Sequence, residues 1–207
     1  MVNEYRKVLS KTTGKRCLES VEINRINNIG VVGGRSLPAS YAPQISGIVE
    51  YLLNKGYHIA SGGAKGADAY VLSHLVENDA CDKGVVFSAW NNFKVFPVAV
   101  RENMRQFCAH QGSLIWGDSS GKDHPAAIKM ALLHRNIKLV QASEGIVAFL
   151  TEGSRGTFFT IQEAIKKRKK LVVFPVGRAL PQFKVVKWVP LTCGGCWENS
   201  YKAVYLR

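Results

Sequence analysis

Short apolar runs alternate with longer amphipathic stretches along most of this chain. The runs that predict buried strands cover residues 29–32, 57–61, 84–87, 113–116, 145–150 and 171–175. The stretches with helical spacing cover residues 42–55, 66–78, 104–110, 125–139 and 158–169. Because short strands alternate with helices, the pattern predicts an α/β fold with a parallel sheet. We expect a Rossmann-like sheet with helices on both faces and small terminal extensions.

The pattern weakens at both ends of the chain. Residues 1–27 are polar and basic and predict an N-terminal arm, whereas residues 28–178 form the predicted domain. Residues 179–207 form a predicted C-terminal hairpin or tail, because apolar and polar positions alternate at 184–189 and 201–206.

Glycine and serine follow four of the predicted strands, at residues 33–36, 61–66, 88–90 and 151–157. In a parallel sheet the carboxyl ends of the strands lie at one edge, and ligands bind there. A strand followed by a glycine turn and a helix N-terminus presents unpaired N–H groups and the positive end of a helix dipole. Such a junction holds an anion. The sequence therefore predicts a phosphate-binding site at this edge.

Single side chains in these segments leave two interpretations open. Arg35 either grips phosphate through both guanidinium nitrogens or is a surface arginine in an ordinary turn. Asp68 either favours the dipole of its own helix or accepts a hydrogen bond from a ligand hydroxyl. Ser154, Arg155 and Thr157 are all able to donate to phosphate oxygens.

Composition narrows the class of partner. The chain has 207 residues, of which 46% are hydrophobic, and this is enough for one substantial core. Its 28 Lys and Arg against 15 Asp and Glu give a net charge of +13. This balance favours an anionic partner, with solubility alone as the other interpretation. No apolar run approaches the roughly 20 residues of a membrane span, and the polar N-terminus lacks a signal peptide, so we expect a cytoplasmic protein with no membrane partner.

Several kinds of chemistry find no support in the sequence. The five cysteines are an odd number and predict reduced thiols. Cys193 and Cys196 form half of a zinc knuckle, but no second pair of ligands follows, so a hairpin turn is the favoured interpretation. No nucleophile, base and acid stand at a telling spacing. We predict no catalytic residue, no metal and no cofactor.

The glycine turns together resemble those of the DprA/Smf family, within the wider DprA- and LOG-like superfamily. Residues 33–36, Gly-Gly-Arg-Ser, match the Gly-Ser-Arg-like element of that family. Residues 61–69, Ser-Gly-Gly-Ala-Lys-Gly-Ala-Asp-Ala, match its Ser-Gly-x-Ala-x-Gly-x-Asp-Ala element, which is the most specific one. An Arg-Asn pair at 135–136 and a Ser-Arg-Gly-Thr turn at 154–157 match two later elements. The resemblance covers residues 28–178.

The resemblance completes the set of candidate residues. Short stand-alone members from phage genomes have a Trp where an apolar strand ends, and Trp90 occupies that position here. From spacing alone two interpretations remain: Arg135 and Asn136 contact a ligand, or they hold a loop in place. The candidate phosphate- or nucleotide-binding residues are Gly33, Gly34, Arg35, Ser36, Ser61, Gly62, Gly63, Lys65, Gly66, Asp68, Trp90, Arg135, Asn136, Ser154, Arg155, Gly156 and Thr157.

The resemblance implies a protein that grips the phosphates of single-stranded DNA at the carboxyl ends of the strands, as a monomer or a homodimer. A sensor or carrier of a small nucleotide-type ligand is the alternative. A nucleotide N-glycosidase is the third hypothesis, because the LOG branch has that activity and a catalytic Glu after its glycine turn. Thr160 occupies the Glu position here. A threonine cannot act as the acid or base in such chemistry, so we favour binding over catalysis.

Overall fold

The structure, a computed structural model, describes residues 27–206. Within this range eight strands form one sheet. The strands are β1 (Asn28–Gly33), β2 (His58–Ser61), β3 (Gly84–Phe87), β4 (Ser113–Ile115), β5 (Gly145–Thr151), β6 (Lys170–Val176), β7 (Val186–Pro190) and β8 (Tyr201–Tyr205). Their order across the sheet is β4-β3-β2-β1-β5-β6-β8-β7. The predicted arm, apart from Asn27, lies outside the described residues.

The strands alternate with helices up to β6. The helices are α1 (Ala42–Asn54), α2 (Ala67–Glu77), α3 (Val98–Ala109), α4 (Pro125–Gln141) and α5 (Arg155–Lys166). From β4 to β6 across the sheet every neighbouring pair of strands is parallel. Strand β8 runs antiparallel to both β6 and β7. The predicted Rossmann-like α/β fold is confirmed, and the tail makes the sheet a mixed one.

Alternate residues of the central strands pack against two different helical layers. In β5, Val147 and Phe149 belong to the core formed with α1, α2 and α3. Their neighbours Ile146, Ala148 and Leu150 belong to the core formed with α4 and α5. Because both faces of the sheet are covered, β5 is buried along its whole length. This explains why it reads in the sequence as a continuous apolar run.

The C-terminal tail is part of the same sheet. Strands β7 and β8 pair antiparallel, as the alternation of residues predicted, with Val186 opposite Tyr205. A short 3-10 helix, Gly195–Trp197, lies between them and contains Cys196. Cys193 and Cys196 are both free thiols. The sequence did not predict how the β7–β8 hairpin joins the sheet. Strand β8, and not β7, pairs with β6.

Residues 93–123 were the hardest to predict. The helix expected at 104–110 begins earlier in the structure, at Val98 directly after Pro97. The buried stripe of α3 consists of Val100, Met104 and Phe107, so its helical spacing already begins in the first turn. In the sequence this turn reads Val-Ala-Val, and the exposed Val98 cannot be told from the buried Val100.

Candidate phosphate-binding site

Three glycine turns meet at the topological switch point, where the chain stops adding strands on one side of β1 and begins adding them on the other. From β1 the chain builds outward through β2, β3 and β4, and it then returns to the other side of β1 to form β5. The turns after β1, β2 and β5 are residues 33–36, 61–66 and 151–157, which are called turn 1, turn 2 and turn 3 below. A switch of this kind leaves a crevice outside the carboxyl ends of the strands. The structure thus brings together three of the four predicted segments at one point.

Close contacts between the turns explain several of the glycines. A Cβ on Gly34 would overlap the Thr151 hydroxyl of turn 3, and a Cβ on Gly66 would overlap the carbonyl oxygen of Gly34. Gly66 also has φ of +75°, which disfavours any residue with a Cβ. A Cβ on Gly33 would lie 2.6 Å from that of Ala67, the first residue of α2. The three turns are therefore packed against one another and form one continuous surface.

Helices α2 and α5 both begin at this surface. Gly66 precedes α2 and has no side chain to cap it. Ser154 precedes α5, but its hydroxyl makes no cap and donates instead to the carbonyl oxygen of Thr151 at 2.6 Å. The first amide groups of both helices are thus free of side-chain caps from these positions. Two positive helix ends at one crevice favour an anion there.

A buried ion pair lies below turn 2. The Arg135 guanidinium on α4 donates from Nη1 to Asp68 Oδ2 on α2 over 3.4 Å. The same carboxylate oxygen accepts the Ala64 N–H at 3.1 Å. Only 4% of Asp68 and 9% of Arg135 are exposed. Among residues 27–206, Asp68 Oδ1 and Arg135 Nε are buried without a hydrogen-bond partner, so the pair retains donor and acceptor capacity.

The two charges affect each other's protonation. Burial raises the pKa of the Asp68 carboxyl, and the positive charge of Arg135 works against that rise. Burial likewise lowers the pKa of the Arg135 guanidinium, against the opposing effect of Asp68. An arginine keeps its proton in proteins, so Arg135 carries a full charge below the turn. A Cβ on Gly62 would overlap Arg135 Nη1, and the backbone of turn 2 therefore rests directly on this charge.

Three exposed cations surround the turns. Arg35 lies in turn 1, Lys65 in turn 2, and Arg155 is the first residue of α5. The charge of Arg35 acts on both members of the buried pair, lowering the pKa values of Asp68 and Arg135. Ser36 and Gly156 are also exposed at this surface. The crevice is thus bordered by exposed positive side chains, with the buried Arg135 below them.

Other predicted polar residues hold the turns together. Ser61 is buried, and its hydroxyl donates to the Val31 carbonyl oxygen at 3.1 Å. Asn136 donates from Nδ2 to the Gly156 carbonyl oxygen at 3.3 Å, so it fixes turn 3 to α4. Thr157 is buried in the first turn of α5. Gly63 is buried with φ of +67°, and a Cβ there would lie 2.9 Å from Met104. The contact with Gly156 supports the interpretation in which Asn136 holds a loop in place.

Trp90 occupies a different place from the other candidates. It follows β3, two strands away from β1, and its ring packs against the core on the α1 to α3 side. Its backbone N–H donates to the Ser88 hydroxyl at 2.8 Å, and its backbone also forms a β-bridge with Ser119. The structure does not bring Trp90 into the three-turn crevice.

Two features of the site were missed by sequence reasoning. The Thr151 hydroxyl is buried against Gly34 and has no hydrogen-bond partner within residues 27–206. Its position as the last residue of β5 and the first of turn 3 was the available signal. The contact between Asp68 and Arg135 had no local signal, because 67 residues separate them.

The position of the LOG-type catalytic Glu is closed to a ligand. Thr160 is 2% exposed, and its hydroxyl donates to the Gly156 carbonyl oxygen at 3.0 Å.

Residues 27–206 contain no group of three or more His, Cys, Asp or Glu side chains arranged to hold a metal ion. In the same part of the chain no helix combines the length and apolar character needed to span a bilayer.

Comparisons with known proteins place the chain in a family. Two solved structures are similar to it, and their sequence identities of 19% and 20% support a shared fold and nothing more. DNA processing protein A from Streptococcus pneumoniae aligns with a TM-score of 0.59 and 19% identity over 76% of this chain and 53% of its own. DNA processing protein A from Helicobacter pylori aligns with a TM-score of 0.58 and 20% identity over 78% of this chain and 68% of its own.

The chain therefore spans about half the length of the pneumococcal structure. The Helicobacter pylori structure is described as showing a unique single-stranded DNA binding mode of that protein. A comparison with curated protein sequences gives no match. The family model of DNA recombination-mediator protein A matches residues 18–185, which is well over half of the chain. The chain belongs to the DNA recombination-mediator protein A family.

Proposed function

We propose that this protein binds single-stranded DNA by holding backbone phosphates in the crevice formed by turns 1, 2 and 3. The observation that carries the proposal is the meeting of two helix N-termini without side-chain caps at one switch point, bordered by Arg35, Lys65 and Arg155. Family membership and the single-stranded DNA binding described for the Helicobacter pylori protein support it. The net charge of +13 agrees with a polyanionic partner.

Backbone amides, and not side-chain hydroxyls, make the principal contacts in this proposal. The hydroxyls of Ser61 and Ser154 already donate to carbonyl oxygens of the protein. Each has a single proton to give. The amides of Gly34, Ala64, Ser154 and Arg155 also donate within the protein. The next amides in the first turns of α2 and α5 have no partner inside their own helix, and these, with the three exposed cations, are the groups that we propose hold the phosphate.

A small nucleotide-type ligand is the second candidate function. The specific observation in its favour is Asp68 Oδ1, a buried carboxylate oxygen without a partner in the described part of the chain. Such an oxygen accepts a hydrogen bond from a sugar hydroxyl. The N-glycosidase hypothesis has less support, since Thr160 is buried and bonded to the backbone.

Anisotropy of labelled oligo-dT at several salt concentrations tests the principal proposal. The variant R35A/K65A/R155A removes three charges at the crevice, and K184A/K187A/K202A removes three exposed charges near the far edge of the sheet. Each phosphate contact on a single strand contributes about 0.7 to the salt slope. We expect the crevice variant to bind at least tenfold more weakly, with a slope smaller by about 2.

The matched control variant is expected to keep the wild-type slope. Equal losses in both variants would show that net charge alone attracts the DNA, and no binding at low salt would refute the proposal. A thermal-shift screen of nucleotides decides on the second candidate, because a ligand that binds only the folded state raises the melting temperature. Light scattering with and without oligo-dT tests whether the protein is a monomer or a homodimer.

A further inference from the structure

A groove of about 750 Å³ lies at the amino ends of β1, β5 and β6, on the side of the sheet that α1 covers. Turns 1, 2 and 3 lie at the opposite, carboxyl ends of the strands. One wall of the groove is the end of α1 with Lys55, and the other is the segment between β7 and β8. Its volume falls within the usual range for sites that take a small organic ligand.

Two cysteines three residues apart, Cys193 and Cys196, line this groove. The glycines between them, Gly194 and Gly195, have φ values of +64° and +60°, which other residues rarely adopt. A Cβ at either glycine would meet nothing within 4 Å, so the surroundings leave room for this link to change its backbone angles. A Cys-x-x-Cys spacing of this kind is typical of thiol pairs that form a disulfide within one chain.

The two thiols differ in access. Cys193 is exposed, whereas Cys196 is half-buried. Helix α1 holds Cys196 in place, because Gln44 donates from Nε2 to its carbonyl oxygen at 3.2 Å. A Cβ on Gly47 of the same helix would lie 3.1 Å from the Cys196 Cβ. A reagent that enters the groove therefore reaches Cys193 first.

The environment of Cys196 also keeps its thiol protonated. Burial raises the pKa of this thiol and outweighs a backbone hydrogen bond that lowers it. The neighbouring Cys193 thiol raises the pKa of Cys196 further, so the two side chains lie within range of a direct electrostatic effect. Because the thiolate is the nucleophilic form of cysteine, Cys196 is suited to the second step of an exchange and not to the first.

The charges that line the groove select the kind of reagent. Lys55 and Lys170 both line it and are exposed, and no Asp or Glu of the described residues 27–206 does so. The Lys55 ammonium lies 5.7 Å from the ring centroid of Tyr51, another lining residue. Two cations without a carboxylate favour an anionic reagent beside the thiols.

We propose that Cys193 and Cys196 form a site of reversible oxidation whose substrate is a small anionic disulfide of the glutathione class. The Cys193 thiolate attacks one sulfur of the disulfide, which gives a mixed disulfide and releases one thiolate. The sulfur of Cys196 then attacks Cys193 Sγ, closes the bond between the two cysteines and releases the second thiolate. The protons of both cysteines pass through water to the released thiolates. The pair is thus oxidised by two electrons, and the disulfide is reduced to two thiols.

Peptide mapping after incubation with glutathione disulfide tests this site. The remaining thiols are blocked, and the protein is then cut with trypsin after Lys and Arg. Both cysteines lie in one peptide, residues 188–202, because no Lys or Arg occurs between Lys187 and Lys202. We expect this peptide to be unblocked and lighter than its reduced form by two hydrogen atoms, and dithiothreitol should restore both thiols. Cys81, which is buried, should stay reduced.

Two single variants separate the steps of the exchange. In Cys196→Ser the mixed disulfide finds no second thiol, so Cys193 should retain the glutathione group. In Cys193→Ser only the half-buried thiol remains, and we expect it to react about tenfold more slowly than Cys193 does in Cys196→Ser. Equal rates in the two variants would overturn the assignment of Cys193 as the attacking thiol.

Reaction rates with glutathione disulfide and with cystamine, a cationic disulfide, test the substrate class. Each rate is divided by that of the free peptide 188–202, which lacks the groove. Wild type should then favour glutathione disulfide, and K55Q/K170Q should lower this preference about threefold. K122Q/K129Q is the matched control, since both lysines are exposed in or near α4 on the other face of the sheet, and it should keep the preference.

The contrary outcomes are equally distinct. Two reduced thiols in peptide 188–202, or glutathione on both cysteines without a bond between them, would overturn the proposed site. Equal normalised rates for the two reagents would overturn the anionic substrate class. None of these measurements involves DNA, and the site lies at the opposite ends of the strands from turns 1 to 3, so the proposed function is tested separately.

Discussion

Arg135 and Asp68 connect the two helical layers of the protein across the carboxyl edge of the sheet. Asp68 lies on α2, whose core residues pack with α1 and α3, and Arg135 lies on α4, which packs with α5. Their atoms Nη1 and Oδ2 are 3.4 Å apart, below Gly62. The pair therefore holds both layers in register at the point where the three turns meet.

Asp68→Asn should destabilise the protein strongly, because it leaves the Arg135 charge buried without compensation. Removing one partner of a buried pair costs about 3–5 kcal/mol. Urea unfolding measures this loss. The double variant Asp68→Asn with Arg135→Met should regain part of the stability. Glu102→Gln is the control, since Glu102 pairs with Arg105 on the exposed surface and should change the free energy of unfolding little. A loss for Asp68→Asn as small as for Glu102→Gln would contradict the prediction.

Gly66→Ala should cost more stability than Gly153→Ala. The two glycines have similar φ values, +75° and +70°. A Cβ at Gly153 meets nothing within 4 Å, whereas one at Gly66 would overlap the Gly34 carbonyl oxygen. The positive φ alone costs about 1–2 kcal/mol, and we expect Gly153→Ala to lose about that amount. Denaturant unfolding of both variants measures the difference, which combines the overlap with Gly34 and the backbone strain at Gly66, whose φ of +75° and ψ of −129° lie outside the left-handed helical region. Equal losses would mean that this contact is not close in solution.

Ser154→Ala should reduce DNA affinity less than Arg155→Ala does. The Ser154 hydroxyl is already committed to the Thr151 carbonyl oxygen, while Arg155 is exposed beside the crevice. We expect Ser154→Ala to lower the melting temperature and to leave oligo-dT affinity within about threefold, since a neutral hydrogen bond contributes about 1 kcal/mol to stability. A tenfold loss of affinity with an unchanged melting temperature would assign the hydroxyl directly to phosphate.

Stability should fall below pH 6.5 through His74. Burial lowers the pKa of His74 from its ordinary 6.5, although Glu50 and Glu77 act in the opposite direction. Its ring Nδ1 lies 3.3 Å from Asn78 Nδ2, a donor, so the neutral ring fits the fold. The stabilising effect is complete above pH 6.5 and is lost as the pH falls towards the lowered value, because the unfolded chain takes up the proton first.

Urea unfolding between pH 8 and pH 5 measures this dependence. His74→Gln should flatten it, whereas His110→Gln, at an exposed position, should leave it unchanged. An identical pH profile for wild type and His74→Gln would refute the role of His74.

Local signals were sufficient for the central part of the fold. Strands such as β5 were visible because an apolar run between two covered faces needs no alternation. Turns 1, 2 and 3 are visible in the sequence because each has glycine between a strand and a helix. In turns 2 and 3 the reason is a positive φ, as at Gly66 and Gly153, and in turn 1 it is the lack of room for a Cβ at Gly34. Their meeting at one edge followed from the rule for parallel sheets. The start of α3 and the position of β8 beside β6 had no such signal.

The order of amino acids is sufficient to predict the alternation of strands and helices, the three glycine turns and the excess of positive charge. These are properties of neighbouring residues and of composition. The tertiary structure was needed to show that Arg135 meets Asp68 and that the Ser61 hydroxyl donates to Val31, which are contacts between residues 67 and 30 positions apart. The Ser154 hydroxyl donates to Thr151, only three residues away, but the residues alone do not tell whether it faces the protein or a ligand. The long-range contacts depend on how helices and strands pack on one another, and no local pattern of residues encodes that packing.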